Sequence, residues 1–238
     1  MALYAGSLPS KIDPQPIVNV EVALLFSGTG DHATRLLHFY KAVAEGANGV
    51  ELVPSSRRPD GEMDWFPFAE TRLSLRHSVA IVRPDTIELD YGPSYPGWTE
   101  VREELLSIVK NLDPDICGQI AKMSLRYVNF FPSERDLTDV FQLDVSTLLG
   151  AAMKRRWVRF QTEDQGIQHD VTCAEGVSAG RDDEDGVILD VASMVEPDSQ
   201  GDNVEAVMTT IDRLHDQEKR MFMTIIKSDY LSSFEVSY

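Results

Sequence analysis

"SLRYVNFF", residues 124–131, is the stretch whose reading decides the fold. Its β-branched and aromatic residues mark a strand, yet Arg126 and Asn129 stand where a strand is usually apolar. A period of two puts Met123, Leu125, Tyr127 and Asn129 on one face, and Ser124, Arg126, Val128 and Phe130 on the other. Arg126 and Asn129 therefore point opposite ways and do not line one pocket from this strand alone. The planar guanidinium of Arg126 suits a bidentate grip on a carboxylate of a neighbouring strand or helix. Asn129, close to Pro132, suits a strand end where its amide satisfies turn backbone groups. On this reading the polar residues set the register of a sheet rather than perform chemistry.

Working outward, each side of this strand shows the same succession of elements. Residues 1–16 read as an extended arm, and "IVNVEVALLFSG" (17–28) as a first strand. A helix follows, with Asp31 as N-cap, Leu36, Leu37, Tyr40 and Val43 at helical spacing, and Gly46 as its stop. Residues 47–68 read as irregular, with the aromatic group Trp65, Phe66 and Phe68. "TRLSLRHSVAIVRPD" and "TIELDYG" pattern as a hairpin turning at Pro84-Asp85. Trp98, Val101, Leu105, Ile108, Val109 and Leu112 then form one stripe of an amphipathic helix that Pro114 ends. Beyond the strand containing 124–131 come a short helical turn, a hairpin from "KRRWVRFQTEDQ" and "IQHDVTCAEG", and a nearly all-apolar central strand in "GVILDVASMVE". The last element is a helix over 203–229, with Asp202 and Glu205 as a capping box and one face traced by Val207, Ile211, Leu214, His215, Phe222 and Ile225. The class is α+β: two similar strand–helix–hairpin–helix halves, 17–114 and 115–238, in one body, with an antiparallel sheet packed by helices.

Bulk properties narrow the function. Thirty-nine acidic residues against 22 basic give a net charge of −17, which repels nucleic acid and anionic membranes and attracts basic partners. Two cysteines are too few for a disulfide framework and point to a reducing cytoplasm. The N-terminus lacks the basic start and apolar run of a signal peptide, and no stretch has the roughly 18 apolar residues a membrane span requires.

Three landmarks in order carry a resemblance. They are Tyr95, Pro96 and Trp98 entering a helix; Arg126, Tyr127 and Asn129 in a strand; and Leu214 with His215 in the last helix. Over about residues 70–232 the chain resembles a sporadically distributed prokaryotic family of uncharacterised proteins that share a Tyr-Pro-x-Trp segment, an Arg-Tyr-x-Asn strand and a C-terminal Leu-His helix. The resemblance implies an accessory role, such as defence or toxin neutralisation, and no particular chemistry.

Motifs that bear chemistry are few. His215 lies on the apolar stripe of the last helix with Glu218 nearby, where a tuned base or a hydrogen-bonded core histidine both fit. His32, His38, His77 and His169 show no paired spacing for a metal, so neither a metal nor a cofactor is expected. "SGTGDH" (27–32) follows a strand but lacks the lysine and third glycine of phosphate loops. "RDDEDG" (181–186) has contiguous acids rather than the alternating ligands of a calcium loop. "MKRRWVRF" (153–160) is the basic island, where Arg156 and Trp157 are candidate binding residues.

The reading is a non-catalytic acidic binding protein, bacterial and cytoplasmic, whose partner is another protein, of basic character, with a second copy of the chain left open. Its partner-facing acids are Asp182, Asp183, Glu184 and Asp185, and Glu100, Glu103 and Glu104 on an outer helix face. The rivals are an enzyme or ligand-binding domain with a pocket of Arg126, Tyr127 and His215 between sheet and helices, and a nucleic-acid-handling protein using 153–160.

Overall fold

The computed structural model describes residues 3–13, 15–27, 32–54, 68–132, 137–142, 157–175, 185–197 and 204–237. In chain order the strands and helices are β1 (Lys11–Asp13), β2 (Ile17–Phe26), α1 (His32–Ala44), β3 (Gly49–Pro54), β4 (Phe68–Ser74), β5 (Val79–Arg83), β6 (Thr86–Asp90), α2 (Trp98–Asn111) and α3 (Pro114–Cys117). They continue as β7 (Ile120–Pro132), α4 (Leu137–Val140), β8 (Trp157–Asp164), β9 (Ile167–Glu175), β10 (Gly186–Val195), α5 (Val204–Ile225), α6 (Ser228–Leu231) and β11 (Glu235–Ser237). The class is α+β, antiparallel sheet against helices, with a long helix near the C-terminus.

Two compact bodies are distinguishable. One comprises Glu21–Ser124 and Glu196–Asp212. Its strands run in the order β3-β4-β5-β6-β2, each antiparallel to the next. Alternation buries Val22, Leu24, Leu73, Ala80, Val82, Ile87 and Leu89 on one face, while α1 contributes Phe39, Ala42 and Val43 and α2 contributes Val101, Leu105, Ile108 and Val109 to the core. The opposite face carries an ionic ladder in which Glu70 accepts from Arg72 and Arg83, and Arg83 also reaches Glu88.

Three expectations change in this body. Residues 49–54 are not irregular: they form β3, paired with β4 from Gly49↔Ser74 onward. A six-residue strand ending in proline shows no period of its own and becomes a strand only through its neighbour. The single long strand expected before Pro84 is two, because the chain folds back where Leu75 N–H donates to the Ser78 carbonyl, so β4 and β5 pair with each other. The buried face of α1 is also rotated: Phe39 and Val43 point inward, whereas Leu37 and Tyr40 are exposed. Trp65 and Phe66 lie outside the described residues.

The other body comprises Met1–Val20, Leu125–Val195 and Arg213–Tyr238. Its strand order is β7-β10-β9-β8. The β8–β9 hairpin turns through Gln165 (φ 51°) and Gly166 (φ 74°), the two left-handed positions that a two-residue hairpin requires. Gly186 opens β10 against Phe130 and the Phe131 carbonyl, and a Cβ there would lie 2.6 Å from both. The core joins Phe131, Val171, Cys173, Val187, Leu189 and Val191 of the strands to Met221, Ile225 and Ile226, with Leu137, Val140 and Phe141 of the α4 segment closing one end. The N-terminal arm is docked: β1 pairs with β11, and the Tyr4 backbone bonds Thr224 and Arg220. The terminal helix stops at Ile225, and α6 follows as a separate turn.

Candidate functional site

The buried face of β7 places its side chains as the alternation required, with Leu125, Tyr127 and Asn129 all buried. The Tyr127 hydroxyl lies 3.0 Å from His215 Nδ1 on α5, the two rings 6.0 Å apart. Burial, with Lys219 nearby, pushes the imidazole of His215 down to about 3, so it is neutral at physiological pH. A neutral imidazole bonded to a phenol holds strand and helix together and carries no charge into the core.

A second buried group lies along the same helix. Register sets Ser193 of β10 directly opposite His169 of β9, and His169 Nδ1 is 2.6 Å from Ser193 Oγ. Glu218 of α5 approaches Ser193 from the helix side: burial raises its carboxyl well above the ordinary range, and hydrogen bonds from Ser193 offset part of that rise. Burial also lowers His169, leaving it neutral. The serine stands between histidine and carboxyl, whereas a hydrolytic triad needs the histidine in the middle. All three residues are buried, Ser193 completely, and among the described residues His169 Nε2 and Glu218 Oε1 have no hydrogen-bond partner. Burial holds the proton on Glu218 more tightly and keeps His169 neutral, and both shifts disfavour the charged forms of the two groups.

The sequence reading sets Glu218 beside His215 and does not join it to His169 and Ser193, although the signal of a buried polar group is present. His169 shares strand parity with Ile167, Val171 and Cys173, and Ser193 with Val187, Leu189, Val191 and Val195. Polar residues on an apolar parity mark a buried polar contact.

On the face turned away from α5, Arg126 of β7 grips Asp190 of β10 with two hydrogen bonds of 2.8 and 2.7 Å. This is the bidentate pair expected from strand alternation. Arg126 therefore lies across the sheet from Tyr127 and His215, and the three do not line one pocket. Asn129 donates to the Leu189 carbonyl at 3.4 Å, a mid-strand partner on β10 rather than the turn expected near Pro132. The side chain reaches across because β7 and β10 are adjacent, which the local sequence does not reveal. Further along this face Arg159 pairs with Asp170, which Gln161 also reaches, and the guanidinium holds that carboxyl below its ordinary range. Trp157 at the start of β8 is 64% exposed.

The remaining candidates divide. Trp98 donates its indole N–H to Asp212 of α5 at 3.3 Å, and Arg102 meets the same carboxylate at 3.0 Å. Glu104 is not a free surface acid. It accepts from Ser78 Oγ at 2.7 Å and from the His77 backbone, and its charge adds to burial in keeping the Tyr91 phenol protonated. Asp185 is exposed, as are Glu100 and Glu103. Arg156, Asp182, Asp183 and Glu184 lie outside the described residues, as do Asp31 and Asp202. Among the described residues no group of three His, Cys, Asp or Glu side chains is placed to hold a metal, and no helix is long and apolar enough to cross a membrane.

No family model matches this chain, and no curated protein matches it. One residue of each of the three sequence landmarks makes a bond between two elements. Trp98 and His215 each bond across to or from α5, and Arg126 ties β7 to β10.

Proposed function

We propose that the protein is a non-catalytic, acidic binding protein, an accessory factor that neutralises or scaffolds a basic protein partner. The observation that carries this reading is Trp157, an indole 64% exposed on the sheet face turned away from α5. An exposed tryptophan on a face rimmed by charged pairs has the composition of an interface anchor. Two further features support it. Among the described residues His169 is buried against Ser193, Glu218 beside Ser193 and His215 against Tyr127, an arrangement that suits packing. The net charge of −17 favours a basic partner and opposes nucleic acid. Two buried thiols fit a reducing cytoplasm.

The test is a titration of affinity-purified partner from the native host against the wild type, Trp157→Ala and Asp185→Asn, repeated over a range of salt. The reading expects Trp157→Ala to weaken binding by on the order of 2 kcal/mol with an unchanged melting temperature. It expects Asp185→Asn to slow association, and salt to slow it further. A partner bound equally by all three proteins at every salt concentration sinks the reading.

A further inference from the structure

We infer that two copies of the chain associate through the edge of β8 that no described strand covers, pairing antiparallel about Gln161. Among the described strands β8 ends the order and pairs only with β9. It keeps eight consecutive register pairs, Trp157↔Ala174 to Asp164↔Ile167, without a bulge, and contains neither proline nor glycine. An edge of this kind presents a row of backbone donors and acceptors to any strand of matching register. The strand at the end of the other order, β3, is blunted by a register shift at Val53/Pro54 and by the proline itself. The contrast singles out β8.

The sequence of β8 is complementary to itself. With Gln161 opposite Gln161 of the second copy, Arg159 faces the second copy's Glu163, and the reciprocal pair forms on the other side of the two-fold axis. Centring on Arg159 or on Glu163 would instead set like charges opposite, and centring on Phe160 leaves Arg159 against Gln161. The pairing matches residues of like parity, so the exposed face of one copy continues into that of the other. Arg159 is already held in place by Asp170 on β9, with Nε 2.8 Å from Oδ1, and Glu163 is exposed. On the helix side, Val158 and Phe160 are only partly buried against the core, and pairing would bring Thr162 of the second copy over Phe160. The inference stands apart from the reading of Trp157 as an anchor for another protein, although the pairing would set both copies of Trp157 on one continuous face.

Light scattering after size exclusion tests it on the full chain at on the order of 10–100 µM, a range that populates a dimer of micromolar dissociation constant. The expected mass is twice 26.6 kDa. Glu163→Arg should weaken self-association about tenfold by setting arginines opposite each other twice, and adding Arg159→Glu should restore it. Glu163 is exposed, so an unchanged melting temperature for Glu163→Arg separates lost pairing from lost folding, whereas Arg159→Glu also gives up the bond to Asp170 and its restored dimer is read against its own melting temperature. Gln161→Cys reads the register directly, because a residue opposite itself in an antiparallel pair lies within disulfide reach. Oxidation should crosslink Gln161→Cys much faster than Thr99→Cys, an exposed control on α2, with Cys117 and Cys173 buried in both. A monomer across this range overturns the inference. So does a dimer that ignores Glu163→Arg, or in which the two cysteine variants crosslink at equal rates.

Discussion

His215 makes the folded state sensitive to acid, and the size of the effect follows from its site. Burial beside Tyr127 lowers the imidazole from an ordinary 6.5 to about 3, so the folded protein refuses a proton that the unfolded chain accepts. The unfolded state binds more protons between those two values, and stability must therefore rise with pH across that window and fall as the solution is acidified. Each pH unit inside the window is worth about 1.4 kcal/mol, so acidification from pH 6.5 to about pH 4 should remove about 3 kcal/mol. That is a large part of the roughly 5–15 kcal/mol that holds a domain folded. His169 acts in the same direction and Glu218 in the opposite one, so the wild type alone cannot isolate the effect. The comparison that does is with His215→Asn, whose amide reaches the position of Nδ1 and carries no titration. Urea unfolding of both proteins from about pH 7 to pH 4 should show the wild type losing about 3 kcal/mol relative to the variant. A difference between the two that stays flat with pH would show that His215 does not remain neutral in the fold, and would refute the reasoning.

Further outcomes follow from other contacts. Glu218→Gln should gain stability over the wild type as pH rises. A raised folded pKa means that the carboxyl's contribution is complete below its unfolded value near 4.5 and is lost above it, so melting temperatures at pH 5 and pH 8 should diverge in the variant's favour. A double-mutant cycle on Arg126 and Asp190 should return a coupling of about 1 kcal/mol, modest because their side chains are 38% and 23% exposed, and it should shrink with salt. Ile211→Asp should leave no cooperative unfolding transition, since the site is fully buried and the unpaired charge costs more than about 4 kcal/mol. Cys173, its thiol pushed up to about 12 by burial, and the buried Cys117 should both resist a thiol reagent until urea is added.

The elements with strong periods are legible in the sequence. The α2 stripe of Val101, Leu105, Ile108 and Val109 is buried as its spacing required, and Arg126 pairs with a carboxylate on the face that alternation assigned it. Two departures share a cause, a pattern too weak to decide. In α1 the apolar residues surround more of the helix than one face, so spacing admits Leu37 and Tyr40, whereas the helix in fact buries Phe39, Ala42 and Val43. In β3 six residues ending at Pro54 hold too little pattern to declare a strand, and pairing with β4 supplies what the segment lacks.

Local sequence determines which face of an element is apolar, because side-chain direction follows the backbone period within a few residues. From it came the α+β class, the antiparallel hairpins, the long terminal helix and the opposed directions of Arg126 and Asn129. Which elements become neighbours is decided by contacts between residues far apart in the chain. The sequence groups Tyr127 with His215, 88 positions away, only in a rival pocket that also includes Arg126, and nothing near His169 names Ser193 or Glu218. Only the tertiary structure brings these polar groups together in the core, and only that burial makes His215 a weak base and Glu218 a weak acid. Desolvation depends on everything packed around a group, and no stretch of sequence contains that surrounding.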